Sequence, residues 1–255
     1  MKKLLITLSA LAILCLPVNA FAAIAIDAAT SAAVVAGVGT NTYTHTVGSG
    51  ANRIIFTGIW TGSDVSGDLL TNATSVVISG TGLATSSMTQ IGKVSGATTT
   101  DRWVYLYYYI NPPSGTNYIT IIPGGSNSIG SETASYSGAL QSGVPDASTS
   151  TTPQGASATT TVTTVADNTW SVLYAKGNGI STSTGSTERA LEAGNRSIIV
   201  DSNVAKTPPG TVSLSVKHTG GAPNDHFGII MASFAPAASA PATSNRKIRG
   251  VGISR

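Results

Sequence analysis

Three sets of residues in this chain have the types and spacing to do chemistry. The first is aromatic. In residues 101–110 (DRWVYLYYYI), Trp103, Tyr105, Tyr107 and Tyr109 alternate with Val104, Leu106, Tyr108 and Ile110. A helix would scatter these rings, whereas a strand sets the first four in one row and the others on the opposite face. Four rings at alternate positions span roughly 20 Å. Open to solvent, they would form a stacking platform for sugar rings, with tyrosine hydroxyls as polar handles. Facing a second sheet, the same row is core. The second set is 217–226 (KHTGGAPNDH). A hairpin centred on Ala222 would place His218 opposite His226 with Asp225 beside them, donors suited to a divalent metal or to acid–base exchange. Two surface histidines beside a Gly-rich turn, with an Asx hydrogen bond from Asp225, account for the same residues without chemistry. The third set is 61–68 (TGSDVSGD). Asp64 and Asp68, with loop carbonyls and hydroxyls, would supply part of a calcium shell; the alternative is a solvated turn. Beyond calcium at this loop, no cofactor is expected.

Familiar hydrolase and nucleotide signatures are missing. The sequence has no G-x-S-x-G elbow, no H-E-x-x-H, no phosphate loop and no Rossmann glycine pattern. Serines are so abundant that a Ser/His/Asp triad drawn from the list would be arbitrary. His45, on an alternating Thr/His segment, reads as a half-buried sheet residue.

Positioning these sets falls to strands. Gly, Pro, Ser and Asn punctuate the chain at short intervals, leaving strand candidates at 43–47, 53–60, 75–79, 88–93, 102–110 and 118–122. Further ones fall at 133–139, 158–165, 169–176, 196–201, 211–218 and 226–234. Residues 111–115 (NPPSG) stop the aromatic strand, and 118–122 reads as its return strand. The one helix candidate, 186–193 (STERALEA), has a capping-box look over two turns. No internal repeat is apparent, and the Thr-rich stretch 148–164 reads as a connection followed by an edge strand. Trp60 and Trp170, at strand ends, read as core or rim residues. This pattern predicts an all-β fold, a two-sheet antiparallel jelly-roll sandwich.

The N-terminus reads as an export signal. Lys2 and Lys3 precede an apolar run ending at Pro17, and Ala20-Phe21-Ala22 forms an A-x-A cleavage site. The domain reading is therefore a cleaved signal over 1–22, a sandwich over 23–236 and an Ala/Pro/Ser linker with a basic tail over 237–255. The single cysteine, Cys15, leaves with the signal, so the mature chain has no disulfide. Fourteen Lys and Arg face eleven Asp and Glu. Two of the bases lie in the signal and four in the last ten residues, which leaves eight against eleven in the body. A mildly acidic body does not suit nucleic acid, whose phosphates call for a basic patch, and no membrane span is expected after signal removal.

The run Trp103-Val104-Tyr105-Leu106-Tyr107 leading to Asn111-Pro112-Pro113-Ser114-Gly115-Thr116 is joined by two further motifs. These are Ser135-Tyr136-Ser137-Gly138-Ala139 with Pro145-Asp146-Ala147, and Ala166-Asp167-Asn168-Thr169-Trp170. Together they resemble uncharacterised secreted bacterial modules with a concanavalin A-like jelly-roll sandwich. The resemblance implies the fold and carries over no catalytic residue. The Glu-x-Asp-x-x-Glu strand of jelly-roll glucanases has no match here. Export, the sandwich and the aromatic row lead to a non-catalytic extracellular module that binds glycan or a cell-surface partner. The rivals are a structural or adhesive component of a surface, particle or filament that associates with copies of itself, and a hydrolase with an unfamiliar site.

Overall fold

β-Branched and aromatic residues between Gly, Pro and Asn turns fold, in the computed structural model, into antiparallel strands. The structure describes residues 22–62, 68–72, 75–96, 102–125, 127–219 and 226–238. The first nine strands are β1 (Ala25–Val38), β2 (Asn41–Val47), β3 (Ile54–Thr61), β4 (Val76–Gly80), β5 (Leu83–Ser87), β6 (Thr89–Gly96), β7 (Arg102–Ile110), β8 (Gly115–Ile121) and β9 (Asn127–Ser137). Eight follow: β10 (Ala147–Thr151), β11 (Ser157–Thr163), β12 (Trp170–Lys176), β13 (Ile180–Thr182), β14 (Thr187–Leu191), β15 (Ser197–Asp201), β16 (Thr211–His218) and β17 (Gly228–Phe234). All twelve strand candidates are strands. No described residue lies in a helix, and none forms a helix long and apolar enough to cross a membrane.

The all-β antiparallel sandwich is the architecture observed, built from four sheets where two were expected. An N-half outer sheet, β2-β8-β4-β5, faces an N-half inner sheet, β1-β9-β3-β7-β6. A C-half inner sheet, β10-β17-β12-β15-β14, faces a C-half outer sheet, β11-β16-β13. Three apolar cores separate the four layers. Ile55, Ile59, Tyr105 and Ile119 fill the first, and Phe56, Leu106, Tyr136, Tyr174 and Phe234 the middle one. Leu173, Ile198, Val216 and Met231 fill the third. Because both inner sheets are covered on both faces, β3, β12 and β17 are buried at every position. This is why they read as continuous apolar runs rather than alternating ones.

The two halves have the same topology, which corrects the expectation of no internal repeat. Replacing β1, β2, β3, β4, β6, β7, β8 and β9 by β10, β11, β12, β13, β14, β15, β16 and β17 converts one pair of sheets into the other; only β5 has no counterpart. Matching the ladder registers makes Gly58 the counterpart of Tyr174, Trp60 of Lys176 and Tyr136 of Phe234. A polar corner repeats as well. Asp27 Oδ2 accepts from Gly48 N (2.7 Å) and Ser135 Oγ (3.0 Å), and Asp146 Oδ2 accepts from Val165 N (2.8 Å) and Ser233 Oγ (3.3 Å).

The inner sheets meet about a pseudo-twofold axis along β3 and β12. Counterparts touch each other across it: the rings of Tyr136 and Phe234 are 5.2 Å apart, and Lys176 Nζ lies 5.0 Å from the Trp60 ring centroid. Gly58 lies so close to Tyr174 that a Cβ there would fall 2.1 Å from the ring. Off the axis, β7 packs on β17 as β15 packs on β9, and β6 packs on β10 as β14 packs on β1. This is the reciprocal contact pattern of an isologous dimer interface, here within one chain. Residues Ala22–Ala237 form one compact unit.

Three local expectations are corrected. Residues 118–122 are not the return strand of β7. Pro112-Pro113 and the left-handed Asn111 (φ 50°) and Gly115 (φ 95°) carry the chain into the outer sheet, where β8 pairs β2 and β4. Arg53 Nε holds this corner through Pro112 O at 2.7 Å. The helix candidate 186–193 is β14 and its exit. A two-turn helix is marginal alone, whereas here the backbone pairs with β15 and Arg189 Nε donates to Asp201 at 2.7 Å. Finally, β16 and β17 lie in different sheets, so no ladder joins them.

Candidate functional site

The aromatic row divides between core and edge. Tyr105 and Tyr107 are 0% and 4% exposed, enclosed beneath the N-half outer sheet, while Trp103 and Tyr109 are half-buried at the ends. The open four-ring platform is therefore not formed, because alternation on β7 turns these rings toward a covering sheet. Trp103 and Tyr105 stack with centroids 6.4 Å apart, and Tyr107 follows at 6.4 Å. Their hydroxyls are tied down at the rim. Tyr105 Oη donates to Asp68 Oδ1 at 2.8 Å, and Tyr107 Oη donates to Gln90 Oε1 at 3.0 Å. Burial raises both phenols, with the Asp68 charge adding to it.

Asp68 serves this rim. Its carboxylate accepts from Tyr105 and from Leu70 N (3.2 Å) and is ion-paired with Lys93, whose ammonium lies 5.6 Å from the Trp103 ring centroid. Burial pushes the Asp68 carboxyl up, but the hydrogen bonds from Lys93, Tyr105 and Leu70 together hold it below the usual carboxylate range. Asp64 and Asp225 lie outside the described residues. Since β16 and β17 do not pair, His218 does not face His226. His218 bonds Asn178 O through Nδ1 at 2.7 Å and stacks on Phe227 at 3.9 Å, while His226 bridges to Gln154. Among the described residues, no group of three or more His, Asp or Glu side chains is arranged to hold a metal ion.

His45 is 1% exposed rather than half-buried, and it joins a polar chain. Its Nδ1 bonds Thr30 Oγ1 and its Nε2 bonds Ser135 Oγ, both at 2.9 Å, and Ser135 Oγ also contacts Asp27. In a nucleophilic triad the carboxylate holds the second imidazole nitrogen; here Thr30 takes that place. The Asp–Ser contact recurs in the C-half at Asp146 and Ser233 with no histidine beside it. This chain is a clamp between sheets. Burial lowers the His45 pKa to about 4, against a raising effect of Asp27.

Among the described residues, a concavity lies beside Tyr107. An open groove of about 460 Å³ has a floor of Leu70, Met88 and Tyr107. Its rim carries Thr71, Asn72, Ser87, Thr89 and Gln90, all exposed. None of the described lining residues is charged. Part of its lining comes from segments that the second half lacks. Residues 62–75 connect β3 to β4, against 177–179 between β12 and β13, and β5 leads into the groove through Ser87 and Met88. Comparing the halves thus separates the shared scaffold from the addition made to one copy. Sequence reading singled out Tyr107 but none of the other groove residues, whose types are common in any loop. No protein-family model matches this chain, and no curated protein matches it.

Proposed function

We propose that this chain is an exported, non-catalytic module that binds a neutral glycan in the groove beside Tyr107. The observation that carries this reading is the lining: an apolar floor and a rim of amides and hydroxyls, with no charged side chain among the described residues. Small-molecule sites combine apolar walls with a few polar groups that fix orientation. A saccharide presents both surfaces, with C–H faces to set against Leu70, Met88 and the Tyr107 ring, and hydroxyls to exchange hydrogen bonds with Asn72 and Gln90. The titratable side chains of the sequence motifs support the same reading, since Asp68, His45 and His218 are each engaged in structural contacts.

Calorimetric titration with neutral hexaoses of glucose, N-acetylglucosamine, mannose and xylose tests it. Binding by the mature protein, lost in Gln90→Ala and Asn72→Ala with unchanged thermal melts, is the expected result. No heat from any of the four, or binding indifferent to both substitutions, would overturn the groove assignment. Sedimentation of the same sample bears on the rival assembly reading, for which the protein would associate with rising concentration.

A further inference from the structure

The groove opens at the edge of a sheet whose outer face has a composition of its own. None of the four strands β2, β8, β4 and β5 contains a Lys, Arg, Asp or Glu. On the solvent side, Thr44, Tyr118 and Ser79 form one row across the strands, between the rows Thr42–Thr120 and Thr46–Thr116. Rows repeat along the strands at roughly 6.7 Å and strands lie about 4.8 Å apart. Tyr118 stands in the middle at 49% exposure, one of only four large apolar residues exposed among those described.

From this placement we infer a second glycan contact, in which the outer face centred on Tyr118 takes an extended neutral polysaccharide. The face carries no charge to attract an ionic partner. An aromatic ring open to solvent offers its π-face to the C–H face of a sugar ring, and the flanking threonines offer paired donors and acceptors. An open face of extended strands suits a polymer more than a single residue. It is also continuous with the groove, because β5 is the edge strand of this sheet and its last residue, Ser87, lines the groove. The C-half is an internal control. Its equivalent face keeps the hydroxyls, including a Thr159–Ser215 bond of 2.7 Å that matches Thr42–Thr120 at 3.0 Å. At the place of Tyr118 it has Ser213, so it keeps the fold without the ring.

The inference shares the ligand class with the groove reading but none of its residues, so the two fail separately. The experiment is retention of the mature protein on microcrystalline cellulose, chitin and insoluble mannan in 1 M NaCl. We expect retention on at least one polymer, a loss on the order of tenfold in Tyr118→Ser, and near-normal retention in Tyr118→Phe. Tyr118→Ser should melt as the wild type does, because the duplicate half already carries serine there. Thr159→Ala, on the equivalent face of the C-half, should leave polymer retention intact. The inference is overturned if no polymer retains the protein, if Tyr118→Ser is retained like wild type, if salt abolishes retention, or if Tyr118→Ser instead breaks up a self-associated form.

Discussion

Glu132 gives the sharpest test of how the two halves are joined. It lies on β9 and is 0% exposed, with the Tyr174 and Ser197 hydroxyls and the Lys176 ammonium around it. Burial pushes its carboxyl from 4.5 up to about 8, and the Glu192 charge adds to this, against the lowering effects of Ser197, Tyr174 and Lys176. The sign follows directly. Below pH 4.5 the carboxyl is protonated in both folded and unfolded chains and imposes no penalty. Between 4.5 and 8 the unfolded chain releases the proton and the folded chain keeps it, so stability falls as pH rises; above 8 the penalty is constant. At about 1.4 kcal/mol per pH unit, the full penalty approaches roughly 5 kcal/mol. Glu132→Gln keeps the shape and removes the titration. Guanidinium unfolding of both proteins at intervals from pH 4 to 9 reads the difference, with every other titrating group cancelled. The variant should match wild type within about 1 kcal/mol at pH 4 and exceed it by roughly 3–5 kcal/mol at pH 9. A difference that does not change with pH would refute the reasoning, because the carboxyl would then titrate alike in the folded and unfolded chains.

The remaining predictions concern the packing and the clamps. Gly58→Ala places a methyl 2.1 Å from the enclosed Tyr174 ring, and thermal melting should show a loss of about 3 kcal/mol or more, partly restored by Tyr174→Leu. Asp27→Ala and Asp146→Ala each remove the acceptor for a backbone N–H and a serine hydroxyl. Each should cost about 1.5–3 kcal/mol in urea unfolding, and similar losses in the two variants would confirm that the corners are equivalent. His45 is held neutral in the fold, so the stability that it confers is complete above pH 6.5 and is lost as pH falls toward 4. His45→Gln should remove an acid-side slope worth roughly 3 kcal/mol in the same melts.

Strand positions were legible because alternation and apolar runs are local. The strands not foreseen are those whose order comes from neighbours. β1 (AIDAATSAAVVAGV) and β10 (ASTST) are rich in small residues and gain their strand state by pairing β9 and β17, and β14 gains its own from β15. Sheet membership was not legible. Hairpins were inferred from sequence proximity, yet Asn111–Gly115 and the β16–β17 connection each carry the chain between layers. The shared topology has sequence traces in Pro112-Pro113-Ser114-Gly115-Thr116 against Pro208-Pro209-Gly210-Thr211, and in Ala134-Ser135-Tyr136 against Ala232-Ser233-Phe234. Between those traces the halves diverge, because contacts on a pseudo-twofold axis need complementary side chains, such as Gly58 against Tyr174. For the site, alternation grouped the β7 rings correctly but could not say which face was covered. Tyr118, the tyrosine that is open, sat unmarked on β8.

The central claim is that a neutral saccharide occupies the groove beside Tyr107, and amide chemical shifts during a hexaose titration test it most directly. The expected result is saturable shifts of the Asn72 and Gln90 side-chain amides and the Met88 methyl, with the β11 and β16 signals unmoved. Shifts confined to other surfaces, or none with any of the four sugars at millimolar concentration, would contradict the claim.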